Sequence, residues 1–400
     1  MTISPSGLLS NLRVLDLGQD VSGPFCARLL ADQGADVIKV EPRDGDPARR
    51  IGPFAGDEPH PEKSIRFLYL NTNKRSVTLD ISKPDGRSLL HSLARWADVL
   101  VENFEPRVRS SLGLDDQSLM EVNPKLVVTS ISSFGSGGPY SDWKATDLVT
   151  SAISGLMYHS GDSDKAPLRS ALSQSLYVAG INAASATLVA LFHRLSAQVG
   201  GRVDVSVAES MSAHLVQASA VYAYTGALRG RRPARGAPLE ELMPCEDGHA
   251  VVSAQGSRPF SAVADVLGIE EMKGPAFATA EGRIMNGEAL EKLILQGLAR
   301  WKKNDLFHAA NKQALVFGMA QGADELYRCP HLGERQFFER VHHPVAGDAA
   351  YPCELVRLSE EAFRTRRAAP LLGEHNVEVY QGIFGLTEDE IVQRRNAAVI

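Results

Sequence analysis

Five short apolar runs separated by helical stretches fill the first half of this 400-residue chain, and they restrict its fold more than any other feature. The runs are LRVLDL (residues 12–17), DVIKVE (36–41), SVTLD (76–80), DVLVE (98–102) and LVVTSI (126–131). Short, nearly continuous apolar runs are the pattern of strands buried on both faces. Between the first two, Pro24 opens a helix with Cys26, Leu29 and Leu30 on its apolar face, and Gly34 ends it. Ser82 as cap and Pro84 in the first turn open another, with Leu89, Leu90 and Leu93 as core face and an end near Trp96. This alternation requires right-handed crossovers, so the expectation is an α/β fold with a mostly parallel sheet.

The length calls for more than one core. After Pro139 the pattern turns helical. Ser206 and Glu209 form a capping-box pair that opens a helix running to about Tyr224. GALRGRRPARGAP (226–238) is the best linker. Beyond it, Glu246-Asp247-Gly248 turns into a strand, His249–Ala254, and helical periodicity follows at Ser261–Leu267, Glu288–Ala299 and Asp305–Ala310. Thr387 to Glu390 is a second capping box. The expected organisation is a large domain beginning with 1–225, a linker at 226–239, a smaller α/β domain at 240–335 and a return segment at 336–400.

The formal net charge of −6 gives no general footprint for nucleic acid or an anionic membrane. The four cysteines, Cys26, Cys245, Cys329 and Cys353, lie far apart with no Cys-x-x-Cys pair. The expectation is therefore no metal, no disulfide framework and a reducing cytoplasm. The beginning of the chain lacks a basic-then-apolar signal layout. The most apolar run, Leu176 to Phe192, is short for a membrane span and contains Asn182 and Ser185, so it reads as a buried core helix.

Four segments invite a functional reading beside a plain one. Gly135-Ser136-Gly137-Gly138-Pro139 either offers N–H groups to a phosphate or makes a tight turn; it is not a P-loop. The turn Gly18 to Pro24 lacks the dinucleotide glycine fingerprint, although Glu41 closes the second strand. Asn71-Thr72-Asn73-Lys74-Arg75-Ser76 gathers amides and cations before a strand, as ligand contacts or as a solvated loop. Arg229, Arg231, Arg232 and Arg235 form either a solvated, mobile stretch or an anion clamp.

Several blocks together resemble the family III CoA-transferases, the group of formyl-CoA transferase, carnitine CoA-transferase and α-methylacyl-CoA racemase. They are LRVLDLGQDVSGPFCARLLADQGADVIKVE (12–41), NTNKRSVTLD (71–80), ADVLVENFEP (97–106), NPKLVVTSISSFGSGGPY (123–140) and PLLGEH (370–375). MPCEDG (243–248) resembles the opening of that family's small domain. The resemblance implies a Rossmann-like large domain made from both chain ends, an inserted small domain, an interlocked dimer, and coenzyme A or acyl-CoA as substrate. Carried over by position, Val21 and Ser22 would line the adenine side. Leu79, Asp80 and residues to Ser82, with Asn103, Phe104 and Glu105, would hold the nucleotide and pantetheine. Lys144, Ala145 and Asp147 would lie near the thioester. Two departures stand out. Pro42 precedes Arg43 where the family often carries Arg directly after Glu41, and a second expected arginine aligns with Ser111, close to Arg109.

The family mechanism implied by the resemblance needs an Asp at the start of the helix Leu176–His193. Its carboxylate attacks the acyl-CoA thioester and expels CoA thiolate, giving a mixed anhydride, and the thiolate then attacks the aspartyl carbonyl. Between Lys165 and Val203 there is no Asp or Glu at all. A gapless count from His193 puts Leu176 at the position, whereas alignment through Ser170-Ala171-Leu172 puts Gln174 there. Ser173 and Ser175 are poor substitutes, with no evident paired base. Asp147 could orient a ligand or cap a helix, and Thr146 replaces the histidine that the racemases carry. The expectation is the nucleophile-free subunit of a heteromer, paired with an Asp-bearing relative as in succinyl-CoA:benzylsuccinate CoA-transferase, with an aromatic succinate as acid. The alternatives are an active homodimer using a displaced carboxylate such as Asp162 or Asp164, or a CoA-binding protein without chemistry. A nicotinamide dehydrogenase is disfavoured by the missing glycine fingerprint.

Overall fold

The computed structural model describes residues 7–228, 230–231, 239, 241–254, 259–353, 356 and 365–400. The chain divides into two compact units. One is Met1–Ser160 with Leu168–Arg229 and Glu334–Ile400; the other is Gly161–Pro167 with Gly230–Gly333.

The first unit is built on six strands: β1 (Arg13–Asp16), β2 (Asp36–Glu41), β3 (Lys74–Thr78), β4 (Val99–Glu102), β5 (Val127–Ser132) and β6 (Gly201–Ser206). All pair in parallel, in the order β3-β2-β1-β4-β5-β6. Alternate residues feed two cores. Leu15, Ile38, Val77 and Leu100 pack with Leu89, Leu90 and Leu93 of the helix Pro84–Trp96. Val14, Val37, Val99 and Val127 pack with Cys26, Ala27 and Leu30 of the helix Ser22–Asp32, and with Ala179 and Ala183 of the helix Gln174–Ala197. Burial on both faces is why these strands read as unbroken apolar runs.

Strand order reverses between β1 and β4, and in such sheets the crevice outside the carboxyl ends at that point is where ligands bind. Asn103 latches the two loops there: its Oδ1 accepts from Gln19 N–H at 2.7 Å and its Nδ2 donates to Gln19 O at 2.8 Å. A Cβ on Gly18 would come within 2.7 Å of the Gly23 Cα, so only glycine allows the chain to double back here.

The 71–76 motif turns out to be scaffold. Lys74 is fully buried, and its ammonium donates to Asp16 Oδ2, Pro24 O and Asn71 Oδ1 at 2.8–2.9 Å. Beside it Lys39 donates to Gly18 O and pairs with Asp46, both at 2.8 Å. Asn73 accepts from the N–H groups of Arg366 and Arg367, and Tyr380 donates to Thr78 O at 2.8 Å. The return segment thus covers β3, an edge strand that would otherwise offer unpaired backbone.

Several local expectations shift. The third strand begins at Lys74, two residues early, because Lys74 belongs to the buried network. The helix after β1 begins at Ser22. Ser82 does not cap its helix; its hydroxyl bonds Asp80, and Lys83 stands at the N-cap. Ser206 does cap its helix through Glu209 N–H, but the helix ends at Ser212, and a 3₁₀ turn, Ala213–Leu215, separates it from Val216–Thr225. The Thr387 box forms reciprocally with Glu390. The sequence reading omitted β6 and the hairpin β10 (Phe338–His343) and β11 (Gly347–Pro352), whose mixed polar patterns resemble loops. β7 (Leu242–Cys245), β8 (Gly248–Val252) and β9 (Phe317–Met319) belong to the second unit.

The apolar helix Gln174–Ala197 is not wholly buried. Ala179, Ala183 and Thr187 pack inward, whereas Leu188, Val189, Phe192 and Leu195 are exposed in the single chain. By length and composition alone it is also long and apolar enough to cross a membrane.

In the second unit β7, β8 and β9 form an antiparallel sheet. Its core joins Ala250, Val252 and Phe317 to Val263, Leu290, Ile294 and Leu306 from the helices Phe260–Leu267, Gly287–Leu298 and Lys303–Lys312. Arg229, Arg232 and Arg235 lie outside the described residues. Arg231 donates to the backbone oxygen of Asp162 at 2.9 Å.

Candidate active site

Two cavities open at the carboxyl ends of the strands. One, of about 470 Å³, is lined by Val21, Ser22, Asn103, Glu105, Ala145 and Asp147 among the expected contacts, and also by Leu176. The other, of about 360 Å³, is lined by Arg43, Leu79, Asp80 and Phe104. Val21 and Ser22 therefore group with Ala145 and Asp147, the residues expected near the thioester, and not with Leu79 and Asp80. The cause is local: they open the helix after β1, and Asn103 Nδ2 reaches the Ser22 hydroxyl at 3.2 Å, drawing that turn toward β4.

Three expected residues line neither cavity. Lys144 is exposed. Arg109 is buried and turned to Glu102 at 3.5 Å and the Ser136 hydroxyl at 3.1 Å. Burial pushes the Glu102 carboxyl up despite its hydrogen bonds from Ser130 and Phe104 and the nearby Arg109 and Arg202. Gln174 opens its helix without joining the lining. The glycine segment after β5 makes a turn, with Gly135 and Gly138 left-handed and the Ser136 N–H bonded to Asp204 Oδ2 at 2.9 Å.

In the smaller cavity the Asp80 carboxyl is held below the usual carboxylate range, mainly by the Ser82 hydroxyl, with Lys83 and Arg43 adding to the effect. Arg43 is the cation in that lining.

The larger cavity surrounds the start of the helix Gln174–Ala197. The chain reaches that start through Leu172 and Ser173, both left-handed, with φ of 61° and 58°. Neither residue type adopts this conformation readily, and such strain concentrates at functional sites. Asp147 begins the helix Asp147–Ile153 and also caps the second helix from outside. Its Oδ1 accepts from the Ser175 N–H at 3.2 Å and from the Ser175 hydroxyl at 2.7 Å. This corrects the expectation that Ser175 lacks a carboxylate partner. Ser175 is fully buried, however, and its hydroxyl also meets Thr150 at 3.0 Å, so it is a structural hydroxyl.

Asp20, Arg169 and Ser132 are among the cavity residues that the sequence did not single out. Asp20 sits left-handed at φ 58° in the loop after β1, ion-paired to Arg66 at 2.7 Å. Arg169 brings its guanidinium to 3.6 Å from Asp147 Oδ2. Ser132 ends β5. An acid in the first strand–helix turn and an arginine just before the apolar helix were the available signals. Asp162 and Asp164 belong to the second unit, where Asp162 pairs with Lys165 at 2.7 Å. Among the described residues no group of three or more His, Cys, Asp or Glu side chains could hold a metal ion.

The family model for CoA-transferase family III matches residues 9–376. The succinate–glutarate CoA-transferase of Agrobacterium fabrum is 31% identical, over 96% of both chains. The BbsE subunit of succinyl-CoA:(R)-benzylsuccinate CoA-transferase from Thauera aromatica is 31% identical, over 92% of this chain and 93% of the relative. Among solved structures, a CAIB/BAIF family protein from Brucella suis superposes with a TM-score of 0.85 at 27% identity, covering 94% of this chain and 99% of that one. A parallel sheet with two cavities at its switch point, and a match along almost the whole length, lead to one assignment: the chain belongs to CoA-transferase family III, enzymes that move CoA between an acyl-CoA and a carboxylic acid.

Proposed function

We propose that this chain is the nucleophile-free subunit of a heteromeric CoA-transferase, working beside a related chain that carries the acyl-accepting Asp. The observation that carries this reading is Leu176. It lines the larger cavity at the start of the apolar helix, where a gapless alignment puts the family's Asp, and it can form no anhydride. The nearest carboxylate on that helix start, Asp147, is buried and committed through Oδ1 to Ser175. The similarity to BbsE, itself named as a subunit, supports a divided enzyme, and the same name supports succinyl-CoA as acyl donor.

In this reading Arg43, Leu79, Asp80 and Phe104 hold the nucleotide end of CoA, and the larger cavity takes the thioester end. The expected aromatic succinate remains the proposed acid, supported by the benzylsuccinate in the BbsE relative's name. The test is CoA transfer from succinyl-CoA by the purified chain, alone and after co-expression with an Asp-bearing family III chain encoded beside it. The reading expects turnover only in the mixture; full turnover by this chain alone would sink it.

A further inference from the structure

At the opposite, amino-terminal ends of the strands lies a third cavity, of about 330 Å³, lined by Arg13, Arg95, Asp98, Asn123, Lys125 and Arg194 among others. Arg13 opens β1, Asp98 directly precedes β4, and Lys125 lies just before β5. Arg95 and Arg194 come from the last turns of the helices Pro84–Trp96 and Gln174–Ala197. Four cations against one carboxylate leave a surplus of three positive charges, in a chain whose overall charge is −6. A cleft lined by one sign of charge focuses its field on an ion of the other sign. Helix dipoles favour a cation at each helix end, which accounts for Arg95 and Arg194 but not for Arg13 and Lys125.

The single carboxylate is already committed. Asp98 Oδ2 accepts from the backbone N–H and Nε of Arg13 at 3.0 and 3.1 Å, and Oδ1 faces Arg194 at 3.4 Å. Arg194 also donates to the backbone oxygens of Asp98 and Lys125, so it belongs to the wall. The other three cations have donors to spare. Arg95 is exposed and makes no hydrogen bond or ion pair among the described residues. The terminal nitrogens of Arg13 have no hydrogen-bond partner there either. Lys125 Nζ donates to Gln198 at 2.8 Å and keeps further protons to give. Asn123 fixes the spacing of these groups: its Nδ2 donates to Ala94 O and Ala97 O on either side of Arg95, and its Oδ1 accepts from the Lys125 N–H.

We propose that this cavity binds a small, multiply charged phosphate anion, held by Arg95, Arg13 and Lys125. Guanidinium and ammonium groups only donate, so the ligand must be rich in acceptors. A lone carboxylate is planar and suits one guanidinium fork. A phosphate group turns oxygens to several sides and carries more charge, which fits donors brought in by three separate elements. The cavity volume is at the small end for ligand pockets, which suits a compact anion. Nothing in the proposal depends on CoA transfer, since the site is at the other end of the sheet from both cavities described above.

The test is calorimetric titration of the full-length chain with inorganic pyrophosphate at low salt, with succinate as the comparison anion. Pyrophosphate is expected to bind about tenfold or more tightly than succinate, and more weakly as salt rises. Arg95→Gln and Lys125→Gln, both at exposed side chains, should each weaken pyrophosphate about three- to tenfold without moving the urea midpoint of the free protein. Arg43→Ala, in the cavity at the carboxyl ends, should leave that affinity within about twofold. Titration with ADP separates a free diphosphate from one carried on a nucleotide: weaker binding than pyrophosphate assigns the cavity to the free anion, tighter binding to a nucleotide, and either result supports the phosphate chemistry if Arg95→Gln reduces it. No binding of pyrophosphate, binding unchanged in both Arg95→Gln and Lys125→Gln, loss in Arg43→Ala alone, or succinate binding as tightly as pyrophosphate would overturn the proposal.

Discussion

The Asp147 carboxylate caps a helix to which it does not belong, accepting from the Ser175 N–H at 3.2 Å and the Ser175 hydroxyl at 2.7 Å. The first N–H groups of any helix lack intrahelical partners, and a negative group placed there also suits the helix dipole. Ser175→Ala removes the shorter of these bonds and leaves a buried carboxylate under-satisfied. The expected loss is about 1–3 kcal/mol of stability, read as a lower urea midpoint at unchanged slope. An unchanged midpoint would deny the capping role.

Two alignments put Leu176 or Gln174 where the family is expected to carry its Asp, and of the two only Leu176 lines the cavity. Leu176→Asp therefore sets a carboxylate against the ligand space, whereas Gln174→Asp does not. With succinyl-CoA and hydroxylamine, the Leu176→Asp chain is expected to give a trapped hydroxamate at residue 176, and the Gln174→Asp chain none. Trapping at 174 alone would favour the other alignment.

Arg43 and Arg109 separate two roles for a cation near the nucleotide end. Arg43 lines the smaller cavity; Arg109 is spent on Glu102 and Ser136. Arg43→Ala should weaken CoA binding about three- to tenfold, the effect of one partly exposed charge on a phosphate group. Arg109→Ala should leave CoA affinity within about twofold but lower the unfolding midpoint, because it removes one of the two cations beside buried Glu102. Calorimetry with CoA and urea titrations of both variants check the pair.

Asp32 supplies a pH signature. Burial pushes its carboxyl up to about 6, against the lowering effect of Arg28 and of the Asn73 hydrogen bond. A raised folded-state value means the folded protein binds the proton more tightly. This contribution is complete below 3.8 and is lost as pH rises through about 6. Its size is on the order of 3 kcal/mol. Asp32→Asn should flatten the wild-type stability decline across that window, seen as a shrinking difference in urea midpoint between pH 4 and 7. Parallel curves for the two proteins would contradict the assignment.

The first-unit sheet was legible because burial on both faces leaves a signal that needs no partner information: Asp36–Glu41 was delimited to the residue and Val99–Glu102 to within one. β6 escaped because Arg202 and Asp204 interrupt its apolar positions, and β3 was displaced because Lys74, a buried cation, looks like a loop residue until its partner Asp16 is seen. The site was legible as motifs and not as geometry. Val21 and Asn103, named from the sequence as CoA contacts, both line the larger cavity, yet nothing local ties Asp147 to Ser175, 28 positions away. Arg169 carries no motif and Ser132 is one unmarked residue of the 123–140 block; that both line the cavity with Asp147, Arg169 at 3.6 Å from Asp147 Oδ2, only three dimensions reveal.

In the proposed division of labour, this chain cradles its ligands and the partner forms the acyl link. The most direct measurement is hydroxylamine trapping during turnover of the co-expressed heteromer with succinyl-CoA, followed by peptide mapping of both chains. A hydroxamate is expected on an Asp of the partner and none on this polypeptide. A hydroxamate on any acidic residue of this chain, Asp20 and Asp147 included, would contradict it.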